Sequence, residues 1–372
     1  MKLALLSFHN AANYGASLQA YALQRFLTDK GYDCEYINYV NQSRAHEYSM
    51  LWHIYDSLSH GRLGAMIAYT LGLPFMELRK FRFKKFYKAH LHTTNKIYHN
   101  SAEASELNGL YDRFIVGSDQ VWNPVCNGYD FAFLLDFVKD SRKKISYSPS
   151  FGMSSIEEGL KETYRSNLSN FHTLGVRESV GRLIIKNLTG RDATVAIDPV
   201  MLLTKDQWLS IAAPKKREEK YIFSYTNRDS QIADFFKTGY KIGGYKHYVL
   251  SRYTRPQDFF SKSVRVKYCM SPQTFVSVIA NAEMVISASF HCVAMSIILN
   301  RPFVAILVGE SGKDERLLNL LRLLNLENRI LTSEMDEGMI KAPINWEEIN
   351  NKIENLKSES AKFLLNAIGE EK

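Results

Sequence analysis

The stretch Met284–Val285–Ile286–Ser287–Ala288–Ser289–Phe290–His291–Cys292–Val293–Ala294–Met295–Ser296–Ile297–Ile298–Leu299 reads as a short strand, a Ser-Phe-His turn and an apolar helix in immediate succession. A strand that feeds directly into a helix is the unit from which parallel sheets are wound, and such sheets gather ligands at the carboxyl ends of their strands. His291 falls at that edge, beside the first turn of a helix, where backbone N–H groups lack partners and the dipole end is positive. An anion can rest there while an imidazole moves a proton. A histidine in an apolar stretch also suits a structural role, and these residues alone leave both readings open.

The same alternation extends in both directions. Lys2–Ser7 is strand-like; after a loop through Asn13–Tyr14–Gly15, Leu18, Ala22 and Phe26 follow at helical spacing, widened by Leu23 and Leu27 and ended by Gly31. Cys34–Tyr39 supplies the next strand. Residues 47–92 read as a helical, basic insertion. Strands resume at Arg113–Val116, Lys144–Ser148, Leu174–Val176 and Thr194–Ile197, with a helix through Leu183, Ile184 and Leu188 to Gly190. Lys205–Glu219 is polar and reads as a linker, after which Tyr221–Tyr225, His247–Leu250, Met284–Ser287 and Phe303–Val308 form a second strand series. Ser271–Pro272 has the form of an N-cap followed by proline at the first helical position, opening a helix that runs to about Asn281. Leu317, Leu318, Leu321 and Leu324 mark another helix, and Trp346–Ile368 is amphipathic. The expected fold is therefore α/β, with two Rossmann-like lobes facing a cleft: an N-terminal lobe over 1–204, a C-terminal lobe over 220–345, and terminal helices over 346–372 that pack back on the first lobe.

At 372 residues the chain is long enough for two cores, and its 45% hydrophobic and 23% charged content is that of a folded globular protein. Cys34, Cys126, Cys269 and Cys292 lie far apart with no CxxC pair, which argues against a zinc site or a disulfide framework. The amino terminus opens directly on a strand, so a cytoplasmic location is expected, at most peripheral at the inner membrane face. The net charge of +8 is partly concentrated in Arg79, Lys80, Arg82, Lys84, Lys85 and Lys88, interleaved with Phe81, Phe83, Phe86 and Tyr87. That mixture over 79–88 suits peripheral contact with an anionic membrane, or a solvated helix with an aromatic stripe. No nucleic-acid motif accompanies it.

Other residues placed to do chemistry cluster at strand ends. Arg177 is positioned to aim a guanidinium at a carboxylate or phosphate, or to pair with Glu178 or Asp198. Arg316, at the start of the leucine-rich helix, is a second anion clamp or a solvated residue. Asp119 and Asp198 can each accept a hydroxyl or cap a turn. Asn13, Tyr14 and Gly15 form a polar loop suited to sugar or phosphate. The sequence has no GxGxxG, Walker, HExxH or GxSxG motif, which lowers dinucleotide oxidoreductase, P-loop NTPase, zinc protease and serine hydrolase readings.

Several segments, taken together and in order, resemble the polysaccharide pyruvyl transferase family: Asn13–Gln24, Gly117–Pro124, Val176–Arg177–Glu178, Asp198–Pro199 and Ser289–Phe290–His291. The likeness spans 13–291, and the segment after Arg316 extends it towards 325. It implies a GT-B-like fold and transfer of the enolpyruvyl group of phosphoenolpyruvate to a sugar of a polysaccharide or lipid-linked oligosaccharide, closing a pyruvate ketal. On this reading His291 and Asp119 are catalytic. Arg177, Arg316, Ser289 and Phe290 bind the donor, and Asn13, Tyr14, Gly15, Ser118 and Trp122 face the acceptor. No metal and no cofactor beyond the donor substrate are expected. The family usually has glycine after the histidine; Cys292 stands there and is expected to narrow the donor's approach. The alternatives are a GT-B glycosyltransferase using a nucleotide-sugar donor and a non-catalytic carbohydrate-binding protein. The oligomeric state and the acceptor sugar leave no signal in the sequence.

Overall fold

The computed structural model describes residues 1–215, 219–226, 229–241, 243–250, 264–267, 269–309 and 311–369. In the first lobe, β1 (Lys2–Leu6), β2 (Asp33–Tyr36), β3 (Arg113–Val116) and β4 (Lys144–Ser146) form a parallel sheet in the order β2-β1-β3-β4. Leu5 registers with Tyr36 on one side and Ile115 on the other. A bridge between Ile145 and Thr173 leads on to the parallel pair β5 (Gly175–Val176) and β6 (Thr194–Val195). The second lobe holds β7 (Tyr221–Tyr225), β8 (Lys246–Leu250), β9 (Val264–Lys267), β10 (Met284–Ser287) and β11 (Phe303–Ala305), all parallel, in the order β11-β10-β7-β8-β9. Strand order reverses between β1 and β3 and again between β7 and β10, so each lobe has a topological switch point at which ligands collect. His291 follows β10 at the second.

β10 is buried along its whole length and apolar up to Ser287, as a central parallel strand covered on both faces must be. The helix Tyr14–Asp29, capped by Asn13, whose side chain accepts from the Ala16 N–H at 3.2 Å, is buried on nearly every side because it lies between the lobes. Tyr14 stacks on Phe275 of the second lobe with ring centres 4.5 Å apart and donates its hydroxyl to the Met270 carbonyl at 3.0 Å. One apolar core consequently runs through both lobes, from Leu3 and Leu18 to Phe275 and Val293. The terminal helix Trp346–Ile368 reaches the first lobe: the Ser360 hydroxyl accepts from the Ile197 N–H at 3.1 Å, and the Phe363 ring lies against Gly175.

Two sequence expectations need correction. Lys205–Glu219 is not simply a linker, because Lys205–Ile211 is a helix opened by a capping box. The Thr204 hydroxyl accepts from the Gln207 N–H at 3.2 Å and the Gln207 side chain accepts from the Thr204 N–H at 2.8 Å. Its Trp208 is wholly buried, its indole donating to the Val200 carbonyl at 3.0 Å. The strand expected over Phe303–Val308 stops at Ala305 because the Asp314 carboxylate takes the Val308 and Gly309 N–H groups at 2.8 and 2.7 Å. Among the described residues no helix is long and apolar enough to cross a membrane.

Candidate active site

Four strand ends of the first lobe meet one of the second. After β3 comes Ser118, then Asp119 with a left-handed backbone (φ 84°), which a non-glycine residue adopts only where its surroundings impose it. The Asp119 carbonyl accepts from the Ser150 N–H at 2.8 Å, tying the β3 end to the β4 end, while its carboxylate accepts from the Gln120 N–H at 2.8 Å. After β4, Ser148 is also left-handed (φ 59°), and the Pro149 carbonyl accepts from the Arg177 N–H at 3.1 Å. Arg177, at the end of β5, is thus fixed by its backbone before its side chain makes any contact.

Arg177 is 4% exposed. Its Nε donates to Glu178 at 2.8 Å, and its Nη1 donates to Asp198 at 2.8 Å and to the Ser118 hydroxyl at 3.3 Å. Ser118 in turn donates to Asp198 at 2.8 Å. Both pairings open to Arg177 in the sequence are therefore made, and Nη2 still has no partner. Beneath it lies the Phe290 ring, 4.9 Å from the guanidinium carbon. Burial works against the Arg177 charge, but Glu178, Asp198 and Asp119 outweigh it and drive its pKa upward.

Asp198 caps the turn Pro199–Leu202, accepting from the Val200 N–H at 3.1 Å, and lies 3.4 Å from His291 Nε2. Burial would raise its carboxyl, yet His291 and Arg177 hold it well below the usual carboxylate range. Asp119 behaves alike: burial is opposed by His291, Arg44, Arg177 and Arg316, and the net shift is downward. The His291 ring packs on Gly15. A methyl group at Gly15 would stand 2.7 Å from the ring carbons Cγ and Cε1, so only glycine lets the first helix of one lobe meet the imidazole of the other. Apart from the 3.4 Å contact with Asp198, Nε2 of His291 has no polar partner.

Arg316, on the helix Ser311–Leu324, is partly exposed and reaches the same group. Its Nη2 and Nη1 donate to the Gln120 side-chain oxygen at 2.6 and 3.1 Å in the amide orientation that satisfies both residues. Burial and the neighbouring Arg177 lower its pKa, its Nε is unpartnered, and it has no ion-pair partner among the described residues. Gln120 is seated on Gly152, where a side chain would collide with it.

His291, Asp119, Arg177, Arg316 and Phe290 are therefore gathered at one point, with Ser118 inside the Arg177–Asp198 network and Ser289 at the N-cap of Phe290–Ile298, its side chain making no cap bond. Asn13 is a helix cap that donates to the Tyr48 hydroxyl at 3.1 Å. Two expected acceptor contacts are displaced. Tyr14 is an inter-lobe packing residue with its hydroxyl engaged. Trp122 is wholly buried, its indole donating to the Phe133 carbonyl at 2.9 Å. Cys292 is wholly buried, and burial pushes its thiol up to about 12. In the 79–88 segment Arg79 is buried and donates to the Ala12 carbonyl, Arg82 reaches the Cys269 carbonyl, and Phe83 and Phe86 are in the core, while Lys84, Lys85 and Lys88 are exposed, so the segment has the form of a solvated helix with a buried aromatic stripe. Sequence reasoning missed Gln120 and Arg44. Gln120 lay inside the Gly117–Pro124 motif, whereas nothing local marks Arg44.

The fold is GT-B-like. Over 98% of this chain and all of the other, it superposes on a UDP-GlcNAc 2-epimerase from Neisseria meningitidis at 11% identity and a TM-score of 0.54. A UDP-N-acetylglucosamine 2-epimerase from Rickettsia bellii matches at 10% identity and 0.54, over 99% of this chain and 97% of its own. No curated protein matches the sequence at a significant level. The polysaccharide pyruvyl transferase model matches residues 13–310, most of the chain and every residue of the central cluster except Arg316, and the chain belongs to that family.

Proposed function

We propose that this site binds phosphoenolpyruvate and transfers its enolpyruvyl group to a sugar, closing a pyruvate ketal on two hydroxyls. The observation that carries the reading is a pair of unpartnered guanidinium nitrogens, Arg177 Nη2 and Arg316 Nε, gathered beside His291 Nε2, which faces the Asp198 carboxylate at 3.4 Å. Buried donors without acceptors are costly, and a small ligand bearing both carboxylate and phosphate satisfies them. The start of the helix Phe290–Ile298 adds free N–H groups and the positive dipole end.

In this reading His291 Nε2 delivers a proton to the methylene carbon, leaving an oxocarbenium-like carbon that a sugar hydroxyl attacks. The C–O bond to phosphate breaks, phosphate leaves with the electron pair, and the neighbouring hydroxyl closes the ring. Of the two hydroxyl protons released, one replaces that given by His291 and the other leaves with phosphate. Asp119, held ionised by the surrounding cations, orients the acceptor. His291 is 7% exposed, so entry of the donor requires the lobes to part at the Gly15–His291 contact. His291→Ala lowers turnover by about 10²–10⁴-fold with the fold intact; near-normal phosphate release from phosphoenolpyruvate by that variant removes His291 from the chemistry.

The membrane contact expected at 79–88 widens to the helices Met50–Ser59 and Leu63–His90, the second of which contains that segment. Leu51, Tyr55, Leu58, Leu63, Leu71 and Phe81 are exposed there, and Lys85 of the second helix has no ion-pair partner among the described residues. Apolar side chains together with an unpaired cation fit an anionic bilayer, which would present a lipid-linked acceptor. Cosedimentation with phosphatidylglycerol vesicles at low salt, lost at high salt, supports this. No sedimentation, or concentration-dependent dimerisation without vesicles, rejects it.

A further inference from the structure

A cavity of about 660 Å³ opens in the first lobe where β1 ends, and none of His291, Asp119, Arg177, Arg316 and Phe290 lines it. Its wall includes His9, Arg44, Tyr48, Lys80, Lys84 and Lys88, and no carboxylate is among its described lining residues. His9 is 2% exposed, and its ring is stacked on Tyr36 with centres 4.8 Å apart, which fixes its orientation. Nδ1 lies 3.1 Å from the Ser7 carbonyl oxygen, which can only accept. Nδ1 therefore carries the hydrogen and Nε2 presents a bare lone pair, and that atom has no partner. Burial holds the His9 pKa down at about 4, so the ring stays neutral at neutral pH.

Lys80, Lys84 and Lys88 are spaced four apart on the helix Leu63–His90 and share one face. Lys80 pairs with Glu77 at 2.8 Å, and Arg44 pairs with Glu47, whereas Lys84 and Lys88 have no ion-pair partner among the described residues. The cavity also borders the catalytic cluster. The loop from His9 ends at Gly15 under the His291 ring, Asn13 joins it to Tyr48, and Arg44 acts on the Asp119 carboxylate.

We infer that this cavity holds the acceptor, that the acceptor is a sugar carrying its own anionic group, and that His9 Nε2 accepts a hydrogen bond from one sugar hydroxyl while Lys84 and Lys88 meet the anion. The inference rests on the pyruvyl-transfer reading, but its test needs no donor. Glucose 1-phosphate, glucuronate and glucose are titrated against the full chain while the His9 side-chain nitrogen resonances are followed by NMR. Either anionic sugar is expected to shift the Nε2 resonance, the two together telling phosphate from carboxylate, with glucose binding about tenfold or more weaker. Lys84→Ala/Lys88→Ala abolishes that preference. His9→Phe, which keeps the stacked ring, weakens all three sugars, and His9→Gln restores part of the loss. Equal binding of glucose overturns the charge assignment, and no Nε2 shift with any sugar overturns the site, even if the variants fail to fold. Phosphoenolpyruvate binding measured in parallel separates the two readings: its loss alone refutes the donor site and leaves this one standing.

Discussion

Gly15→Ala tests the junction of the two lobes with one methyl group. Carbon atoms in contact normally sit about 3.5–4.0 Å apart, so a methyl 2.7 Å from two ring carbons of His291 forces a displacement of about 1 Å. Overpacking of this kind costs about 1–3 kcal/mol, while alanine gains up to about 1 kcal/mol over glycine in a helix. The net loss, about 0–3 kcal/mol, is small against a typical stability of about 5–15 kcal/mol, so the variant folds. Catalysis fares worse, because a reacting group misplaced by about 1 Å costs about 10²-fold in rate. The assay is phosphate release from phosphoenolpyruvate with a glycan acceptor, alongside thermal unfolding. A folded variant that turns over within about threefold of the parent refutes the claim that Gly15 positions His291.

The remaining predictions concern the same network and its supports. Arg316→Lys, which removes a planar donor fork without an ion-pair partner to disturb, weakens phosphoenolpyruvate binding by about 10–100-fold in calorimetry. Trp122→Ala destabilises the chain by about 3–5 kcal/mol in urea titration, as a core deletion does; a neutral effect would return Trp122 to the acceptor surface. Asp198→Asn leaves Arg177 under-compensated and costs about 3–5 kcal/mol at neutral pH. The carboxyls of Asp198 and Asp119 are depressed in the folded chain, so their stabilisation is full above the unfolded value near 4 and is lost as pH falls towards their folded values. The urea midpoint of the parent therefore drops below about pH 4, and the gap to Asp198→Asn narrows there.

What the sequence discloses is local. Met284–Leu299 could be read as strand, turn and helix because its apolar run is punctuated by Ser287 and Ser289, and Ser271–Pro272 announces a helix that begins at Pro272. The α/β fold followed from such units. Thr204 and Gln207 carried an equally clear capping signal, but the charged residues around them masked the buried Trp208. The network of Ser118, Arg177 and Asp198 is of another kind, since its members come from three separate strand ends and only closure of the sheet makes them neighbours. The same holds for Gln120 against Arg316 and Gly15 against His291. Tyr14 and Trp122 misled for the opposite reason: a polar tip on a large ring reads as a binding residue until packing shows the tip engaged inside the protein.

The central claim is that the guanidinium and imidazole cluster takes phosphoenolpyruvate as donor. Its most direct test is to supply phosphoenolpyruvate isotopically labelled at the enol carbon, together with glycans from the source cells, and follow the label by carbon NMR. The account predicts a new quaternary ketal carbon on the glycan, appearing in step with released phosphate and abolished in His291→Ala. Label that remains in the donor, while a nucleotide sugar added in parallel is consumed, contradicts it.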